Sequence, residues 1–255
     1  MFDLNNFVID RIIRGVALSQ KDNSVLFSIN QIQNASLNCA SESADAVDAM
    51  GTPIATFYRA KSAEFSAENA LFDMNLMATQ LGTTKKVASA SSKVVVPAME
   101  SFIANGGTYS LKHAPSNTIK EIYALNGDST FGTKYTKATN ASATSFAIDG
   151  QSITLPTGLE NNTEMFVMYE YETDNAVEVA NSATNFPVGC KFVMEVLGCD
   201  VCDQTNLIYA YVIFNNAKLS PDFDWSIATD GTHPFSMKAQ QDYCDKEKRL
   251  KIIAA

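Results

Sequence analysis

Two cysteines, Cys199 and Cys202, have the spacing of a metal-binding or redox pair. A structural zinc site needs four ligands, but the two histidines, His113 and His233, are far from this pair in sequence. A redox pair is expected at the start of a helix, where the helix dipole lowers a thiol pKa. The residues around this pair instead predict a turn between two strands. The sequence therefore predicts neither a metal centre nor an oxidoreductase here.

Other catalytic patterns are equally poorly supported. The Gly-x-Ser-x-Gly elbow of serine hydrolases and the glycine-rich phosphate loop do not occur. His233 lies in a turn-like run before Pro234, which favours an exposed turn residue over a general base. The carboxylates between Glu170 and Glu178 are expected to be solvated charge on a strand edge, which discourages unwanted pairing. We predict no catalytic residue, no metal ligand and no cofactor.

Composition and charge define the class of protein. The chain has 255 residues, of which 46% are hydrophobic, and 28 acidic against 19 basic residues give a net charge of -9. This charge opposes binding to the phosphates of nucleic acid. It is compatible with a surface along which DNA must move without sticking, and equally with an ordinary soluble protein. No window is apolar enough for a bilayer, and residues 1–16 do not form a secretory signal. We expect a folded protein made in a cytoplasm, with no membrane partner and mostly free thiols among its five cysteines.

Alternating apolar residues predict a protein built mainly of strands. Ser24–Ile32 and Ile54–Phe65 show the period of two that is typical of strands, and the second is longer than a compact domain needs. The next segment, Ser66–Leu81, carries apolar residues at helical spacing, with Ser66 as a predicted N-cap and Gly82 closing the helix. Further strands are predicted at Cys190–Leu197, Leu207–Phe214, Phe223–Ile227 and Leu250–Ile253.

A change of composition predicts an inserted domain. Residues 115–181 are rich in Thr, Ser and Asn, and the pairs at Asn126 and Asp149, each followed by Gly, are hairpin signals. The predicted fold is mainly β: a two-sheet sandwich or barrel-like core from residues 1–114 and 182–255, with one flanking helix and a long hairpin arm. Residues 115–181 would form a small immunoglobulin-like β-sandwich.

Two stretches carry a resemblance to a known family. An extended segment leads towards a helix from Gly51 through Leu71, and a closing stretch runs from Phe223 through Cys244. In overall plan, over residues 20–110 and 182–255, the chain resembles the tail tube (major tail) proteins of double-stranded DNA bacteriophages. The resemblance implies a structural virion protein of the phage tail. It also implies a core of two packed sheets and rings, usually hexameric, that stack into a hollow tube.

The same resemblance implies the partners. They are copies of the chain itself and a tail sheath or tail-completion proteins, while DNA passes through without specific binding. We predict an interface on the arm and a second one in the charged run near the C-terminus, although a solvated turn explains that run equally well. The predicted interface residues are Ile54, Phe57, Arg59, Lys61 and Glu64 on the arm, and Lys246, Lys248 and Arg249 near the C-terminus.

Two other classes remain open on sequence alone. A capsid decoration protein is also β-rich, acidic and non-enzymatic. A carbohydrate-binding or adhesive module is the second, because aromatic rings in the inserted segment offer stacking platforms for sugars. The candidate platforms are Tyr123, Tyr135, Tyr169 and Tyr171.

Overall fold

The computed structural model describes residues 6–241 and 250–254. In chain order the elements are β1 (Phe7–Ser19), β2 (Val25–Ile29), β3 (Ile32–Val47), β4 (Pro53–Asn69), α1 (Met74–Gln80), β5 (Lys86–Val87), β6 (Val94–Ile103), β7 (Thr108–Ser110), β8 (Glu121–Leu125), β9 (Phe131–Lys137), β10 (Ser145–Asp149), β11 (Ser152–Thr154), β12 (Glu164–Thr173), β13 (Val177–Glu178), β14 (Gly189–Asp200), β15 (Asp203–Leu219), β16 (His233–Ala239) and β17 (Leu250–Ala254).

The chain divides into two compact units. Unit 1 takes the described residues up to Lys85 and from Val179 onward, and unit 2 takes Lys86–Glu178. Unit 2 begins ahead of the predicted insertion at 115–181, because β6 pairs along its whole length with β12. The short antiparallel pair of β5 and β13 joins the two ends of unit 2, where Lys86 lies 3.5 Å from Glu178.

Unit 1 is a single curled sheet. Within the described residues its strand order is β2-β1-β14-β15-β16-β4-β3, and β17 pairs with β15 beside this path. Phe65 on β4 and Phe192 on β14 are three strands apart in this order, a separation of about 14 Å in a flat sheet. Their ring centroids are only 5.6 Å apart, so the two halves of the sheet face each other across one core. This is the predicted mainly-β, sandwich-like architecture.

Phenylalanines fill the core of unit 1. Phe192 is fully buried, and its ring contacts the rings of Phe27, Phe65, Phe214 and Phe235 at centroid distances of 5.6–6.4 Å. Each of these rings comes from a different strand, so one side chain ties five strands together. The alternation that predicted β2 is confirmed, because Phe27 and Ile29 point into this core.

The predicted helix begins later than its apolar spacing indicated. Ser66 lies in β4, which continues to Asn69, and α1 starts at Met74 with Asp73 as its N-cap; the Asp73 carboxylate accepts from the backbone of Asn75 and Leu76. The sequence prediction was wrong because the end of β4 pairs on both sides, with the neighbouring strand β3 and, at positions 64–69, with β16 far along the chain. Gly82 ends the helix as predicted, with φ +67 and the Thr83 N–H donating to Ala78 O at 2.8 Å.

A buried histidine attaches α1 to the sheet. The His233 ring is fully buried. Its Nε2 atom lies 2.8 Å from the Gln80 side-chain oxygen, and the Asp73 N–H donates a hydrogen bond to its Nδ1 atom. Burial lowers the pKa of His233 and the nearby Asp73 carboxylate only partly opposes this. The neutral imidazole therefore has a structural role. The sequence predicted an exposed turn residue here, and that prediction was wrong because His233 begins β16, where it pairs with Asn69 of β4.

The predicted strand at Phe223–Ile227 was wrong. Residues 221–227 have no strand pairing, although their apolar residues alternate. Trp225 instead stacks on Phe72 with ring centroids 4.2 Å apart, and Phe72 stacks in turn on His233. Aromatic stacking replaces ladder hydrogen bonds in holding this loop against unit 1.

Unit 2 also curls around its own core. Its sheet order is β6-β12-β8-β9-β10-β11-β7 in the described residues. The first and last strands of this order meet, since Phe102 of β6 and Tyr109 of β7 stack with centroids 3.6 Å apart. Both predicted hairpins are confirmed: β8 and β9 flank the turn at Asn126, and β10 and β11 flank Asp149 and Gly150.

One buried carboxylate organises polar contacts inside unit 2. Glu100 is 3% exposed and accepts hydrogen bonds from the hydroxyls of Tyr109 and Tyr169 and from the Lys112 N–H. Burial acts to raise the pKa of Glu100, but the three donated bonds outweigh it and hold the pKa below its ordinary value. Burial and the same bonds raise the pKa of both tyrosines to about 12.

Glu100→Gln is expected to destabilise unit 2 by about 1–3 kcal/mol at pH 7, because it leaves buried donors poorly paired. The pKa of Glu100 is lower in the folded protein than in the unfolded chain, where a glutamate has a pKa of about 4.3. The carboxylate therefore contributes its full stabilisation above about pH 4.3, and this contribution is lost as the pH falls through the pKa of the folded state. The difference between variant and wild type should therefore shrink below about pH 4.

Urea denaturation followed by circular dichroism between pH 3 and pH 7 measures this difference. Glu164→Gln, at an exposed position on β12, is the matched control and should leave stability nearly unchanged. A Glu100→Gln deficit that stays constant over this pH range would contradict the assigned role of the carboxylate.

Candidate assembly surfaces

β3 and β4 form a long two-stranded arm. Their antiparallel register runs from Ile32↔Asn69 to Val47↔Pro53, and it is interrupted by bulges, one of them at Ala60 with φ +39. β16 accompanies β4 only as far as Glu64. Beyond that point about ten residues of each strand project without a third strand, a length of roughly 30 Å.

Both faces of the projecting arm are exposed. Every β4 residue from Pro53 to Ser62 is exposed, whereas Ala63, Phe65 and Ala67 are buried in the core of unit 1. Phe57 is 56% exposed and Tyr58, on the opposite face, is 74% exposed. A soluble monomer gains nothing from aromatic rings on both faces of a ribbon, so this pattern indicates a surface that becomes covered.

The tip of the arm is a well-ordered turn. The Asp48 carboxylate accepts from the backbone of Met50 and Thr52, and the Gly51 N–H donates to Asp48 O at 3.0 Å. Gly51 has φ +82, a conformation that glycine adopts without strain. The turn holds Met50, 91% exposed, at the outermost point of the arm.

The outer backbone edges of the arm are open. Among the described residues β3 pairs only with β4, and the projecting half of β4 pairs only with β3. Unpaired strand edges are templates for another chain, and isolated proteins normally cover or shorten them. The arm of a single copy therefore presents both hydrogen-bonding groups and apolar side chains without a partner.

A second exposed apolar surface lies on unit 2. Where β8 diverges from β12, a cleft of about 380 Å³ is lined by the rings of Tyr123 and Phe166 and by Met168, with Glu121 and Glu170 at its rim. Phe131 lies beside it, its ring centroid 5.1 Å from those of both aromatic residues. This aromatic patch with acidic groups is the second candidate contact surface.

Comparison with known proteins identifies the family. A profile of the YomU/Tube protein family matches residues 7–249. The chain belongs to this family. No curated protein matches the chain. Membership is consistent with a phage tail tube protein, a structural component of the virion.

The predicted arm residues lie on β4 but in two different settings. Ile54, Phe57, Arg59 and Lys61 are on the exposed, projecting half. Glu64 lies at the base, half-buried, with an oxygen 3.0 Å from Lys238 Nζ on β16. The structure therefore brings four of these side chains together on the part of this YomU/Tube chain that protrudes. Lys246, Lys248 and Arg249 lie outside the described residues.

Sequence reasoning missed Met50 and Tyr58 on the arm. Tyr58 belongs to the predicted strand, but it was not predicted as an interface residue. In a two-stranded ribbon there is no core on either face, so both Phe57 and Tyr58 must be exposed. The Asp48-to-Thr52 turn carries a signal that would have placed the tip, since an Asp two residues ahead of Met50 and a Gly at position 51 are typical of tight turns.

The tyrosines considered as sugar platforms are mostly engaged within unit 2. Tyr169 is 3% exposed, Tyr135 packs against the core, and Tyr171 stacks on His113 at 3.9 Å. Tyr123 is half-buried and its hydroxyl donates to Glu121. These rings therefore do not form a free stacking platform for sugars.

The candidate chemical residues stand apart from one another. Cys199 lies near the end of β14 and Cys202 in the turn that leads to β15, a strand-to-strand turn as predicted, and both thiols are free. No group of three or more His, Cys, Asp or Glu side chains with metal-binding geometry occurs in the part of the chain that the structure describes. Within that same part, no helix has the length and apolarity of a membrane span.

Proposed function

We propose that this chain assembles with copies of itself into closed rings, hexameric by analogy with tail tubes, which stack into the hollow tube of a bacteriophage tail. The observation that supports this most strongly is the arm formed by β3 and β4. It combines two open backbone edges with exposed apolar side chains on both faces and an ordered tip.

Covering the arm supplies the driving force for assembly. Burying one large apolar side chain contributes about 1.5–3 kcal/mol, and the outer part of the arm exposes five of them: Val47, Met50, Ile54, Phe57 and Tyr58. Pairing of the open edges adds direction, because strand hydrogen bonds fix the register between chains. These gains offset the loss of translational and rotational freedom on association.

The asymmetry of the contact favours rings and stacks. An arm that docks on a different surface of its neighbour makes a head-to-tail contact, in which the two subunits contribute different surfaces. Such contacts generate closed rings when the rotation closes, and open filaments when it does not. A tube of stacked rings uses contacts of this kind both within and between rings.

The net charge of -9 suits a conduit for DNA. A surface of that sign repels phosphates, so DNA passes without specific binding. A sheath or tail-completion proteins would contact the assembled tube in the virion. The tube itself should give no mobility shift with double-stranded DNA at about 0.1 M salt.

Sedimentation velocity over a concentration series tests the self-assembly. The wild type should form large species, and Phe57→Ser should raise the concentration needed for half-assembly by at least about tenfold, since 1.4 kcal/mol corresponds to a factor of ten. Ile227→Ser removes an 85% exposed apolar side chain outside the arm and is the control. Equal assembly by both variants would contradict a role for the arm.

A further inference from the structure

We propose that the cleft on unit 2 is the receptor for the arm of a second copy, with Phe57 of that copy inserted between Phe166 and Met168 and Arg59 paired with Glu170. This inference rests on the proposed function, because it names the surface that receives the arm. It assigns unit 2 a role in the contact between subunits.

The cleft provides an apolar floor with an unneutralised acid. Phe166 and Tyr123 are half-buried, Met168 is 52% exposed and Met99, its partner across the β6–β12 ladder, is 65% exposed. Methionine side chains are flexible and adapt to an inserted aromatic ring. The floor is thus suited to a single large apolar side chain.

The charges at the rim differ in how they are paired. Lys120 also lines the cleft, and Glu121 lies 3.7 Å from Lys134. Glu170 accepts a hydrogen bond from the Asn117 amide at 2.6 Å, but no cation lies within ion-pair distance of it among the described residues. Glu170 is therefore the carboxylate that a partner's cation would neutralise.

The arm carries the complementary features on one face. Ala55, Phe57 and Arg59 alternate along β4 and so share a face, opposite Ala46, Ala44 and Glu42 of β3. The small alanines leave the Phe57 ring standing above its surroundings. In the described part of the chain no carboxylate lies within ion-pair distance of Arg59, even though Glu42 is its cross-strand neighbour.

The spacing of the two surfaces matches. Phe57 and Arg59 are two residues apart on a strand, and Met168 and Glu170 are also two residues apart on a strand, so each pair spans about 6.6 Å on one face. A phenyl ring placed over Met168 therefore brings the guanidinium close to the Glu170 carboxylate. A charge-assisted hydrogen bond there would fix which way the arm lies.

The unpaired Glu170 carboxylate also disfavours the simplest alternative, a symmetric contact between the clefts of two copies. Two copies of unit 2 docked through the same face would bring Glu170 of each close to the other, and like charges at an interface oppose association. An occupant with a basic group beside an aromatic ring is favoured, and the projecting arm has that combination.

Charge reversal in the full-length protein tests the pairing. Arg59→Glu and Glu170→Arg are each expected to raise the half-assembly concentration at least about tenfold, and the combined variant should return to within about threefold of wild type. Glu160→Arg, at an exposed turn of unit 2, makes the same charge change outside the cleft and should assemble normally. A combined variant no better than the single variants would overturn the pairing.

A cysteine cross-link tests the position. Phe57→Cys with Met168→Cys, in a chain whose Cys39, Cys199, Cys202 and Cys244 are replaced by serine, should yield disulfide-linked dimers and higher ladders on oxidation. The pair Phe57→Cys with Glu160→Cys is the control and should give none. Tubes that form normally but show no link and no charge rescue would overturn this inference and leave the proposed function standing. A wild type that stays monomeric would overturn both.

Discussion

Replacing residues 42–60 with Asn-Gly is expected to abolish assembly while the monomer remains folded. Ser41 and Lys61 face each other in the register of β3 and β4, so a two-residue turn can close the shortened hairpin. The change removes Met50, Ile54, Phe57 and Tyr58, all of them exposed, and leaves the core of unit 1 intact. Size-exclusion chromatography with light scattering should report a monomer at every concentration.

The stability of the shortened chain must be measured as a control, because a misfolded chain would also fail to assemble. Thermal unfolding followed through the single tryptophan, Trp225, should give a stability within about 0.5 kcal/mol of wild type, because none of the replaced residues is buried. Large assemblies formed by the shortened chain would show that the arm is dispensable.

Phe192→Ala is expected to destabilise unit 1 by about 3–5 kcal/mol, which is a large part of the total stability of an ordinary domain. The ring is fully buried and contacts aromatic rings from four other strands, so its removal leaves a cavity that these strands cannot all close. Urea denaturation followed by Trp225 fluorescence measures the loss.

Phe57→Ala is the matched control for that experiment. It removes the same ring from the same unit at an exposed site, and its effect on the unfolding of dilute monomer should stay within about 0.5 kcal/mol. A Phe192→Ala protein as stable as the Phe57→Ala protein would contradict the assignment of Phe192 to the centre of the core.

Much of the strand content was predictable because one face of each strand is buried. β2 and β12 show clean alternation, since Phe27, Met165 and Val167 enter the core and their neighbours face outward. The turns at Asn126 and Asp149 were predictable from their Asn-Gly and Asp-Gly pairs. Only in the second turn does the glycine have the left-handed backbone, with φ +55 at Gly150, whereas Ser129 has it in the first, with φ +62. Local signals suffice where local geometry decides the structure.

The errors occur where a distant partner decides the structure. Positions 66–69 fit a helical stripe as well as a strand, and pairing with β16, far along the sequence, selects the strand. Alternation at Phe223–Ile227 has no strand partner, so it ends in aromatic stacking on Phe72 instead. Neither partner is adjacent in sequence, and no local pattern reports it.

The candidate surfaces were predictable only in part. The apolar residues of β4 identified an arm, but its partner strand β3 is exposed along most of both faces and has no apolar period to detect. The cleft on unit 2 combines Tyr123 from β8 with Phe166 and Met168 from β12, and only the folded register brings these residues together. Under the proposed function, the choice of strands that face the lumen would depend on neighbouring copies, which leave no signal in the sequence of a single chain.

Negative-stain electron microscopy of the purified full-length protein across a concentration series tests the central claim most directly. The proposed function predicts rings at low concentration and hollow tubes of stacked rings, with a constant diameter, at high concentration. Particles that remain single and compact at every concentration would contradict self-assembly into a tail tube.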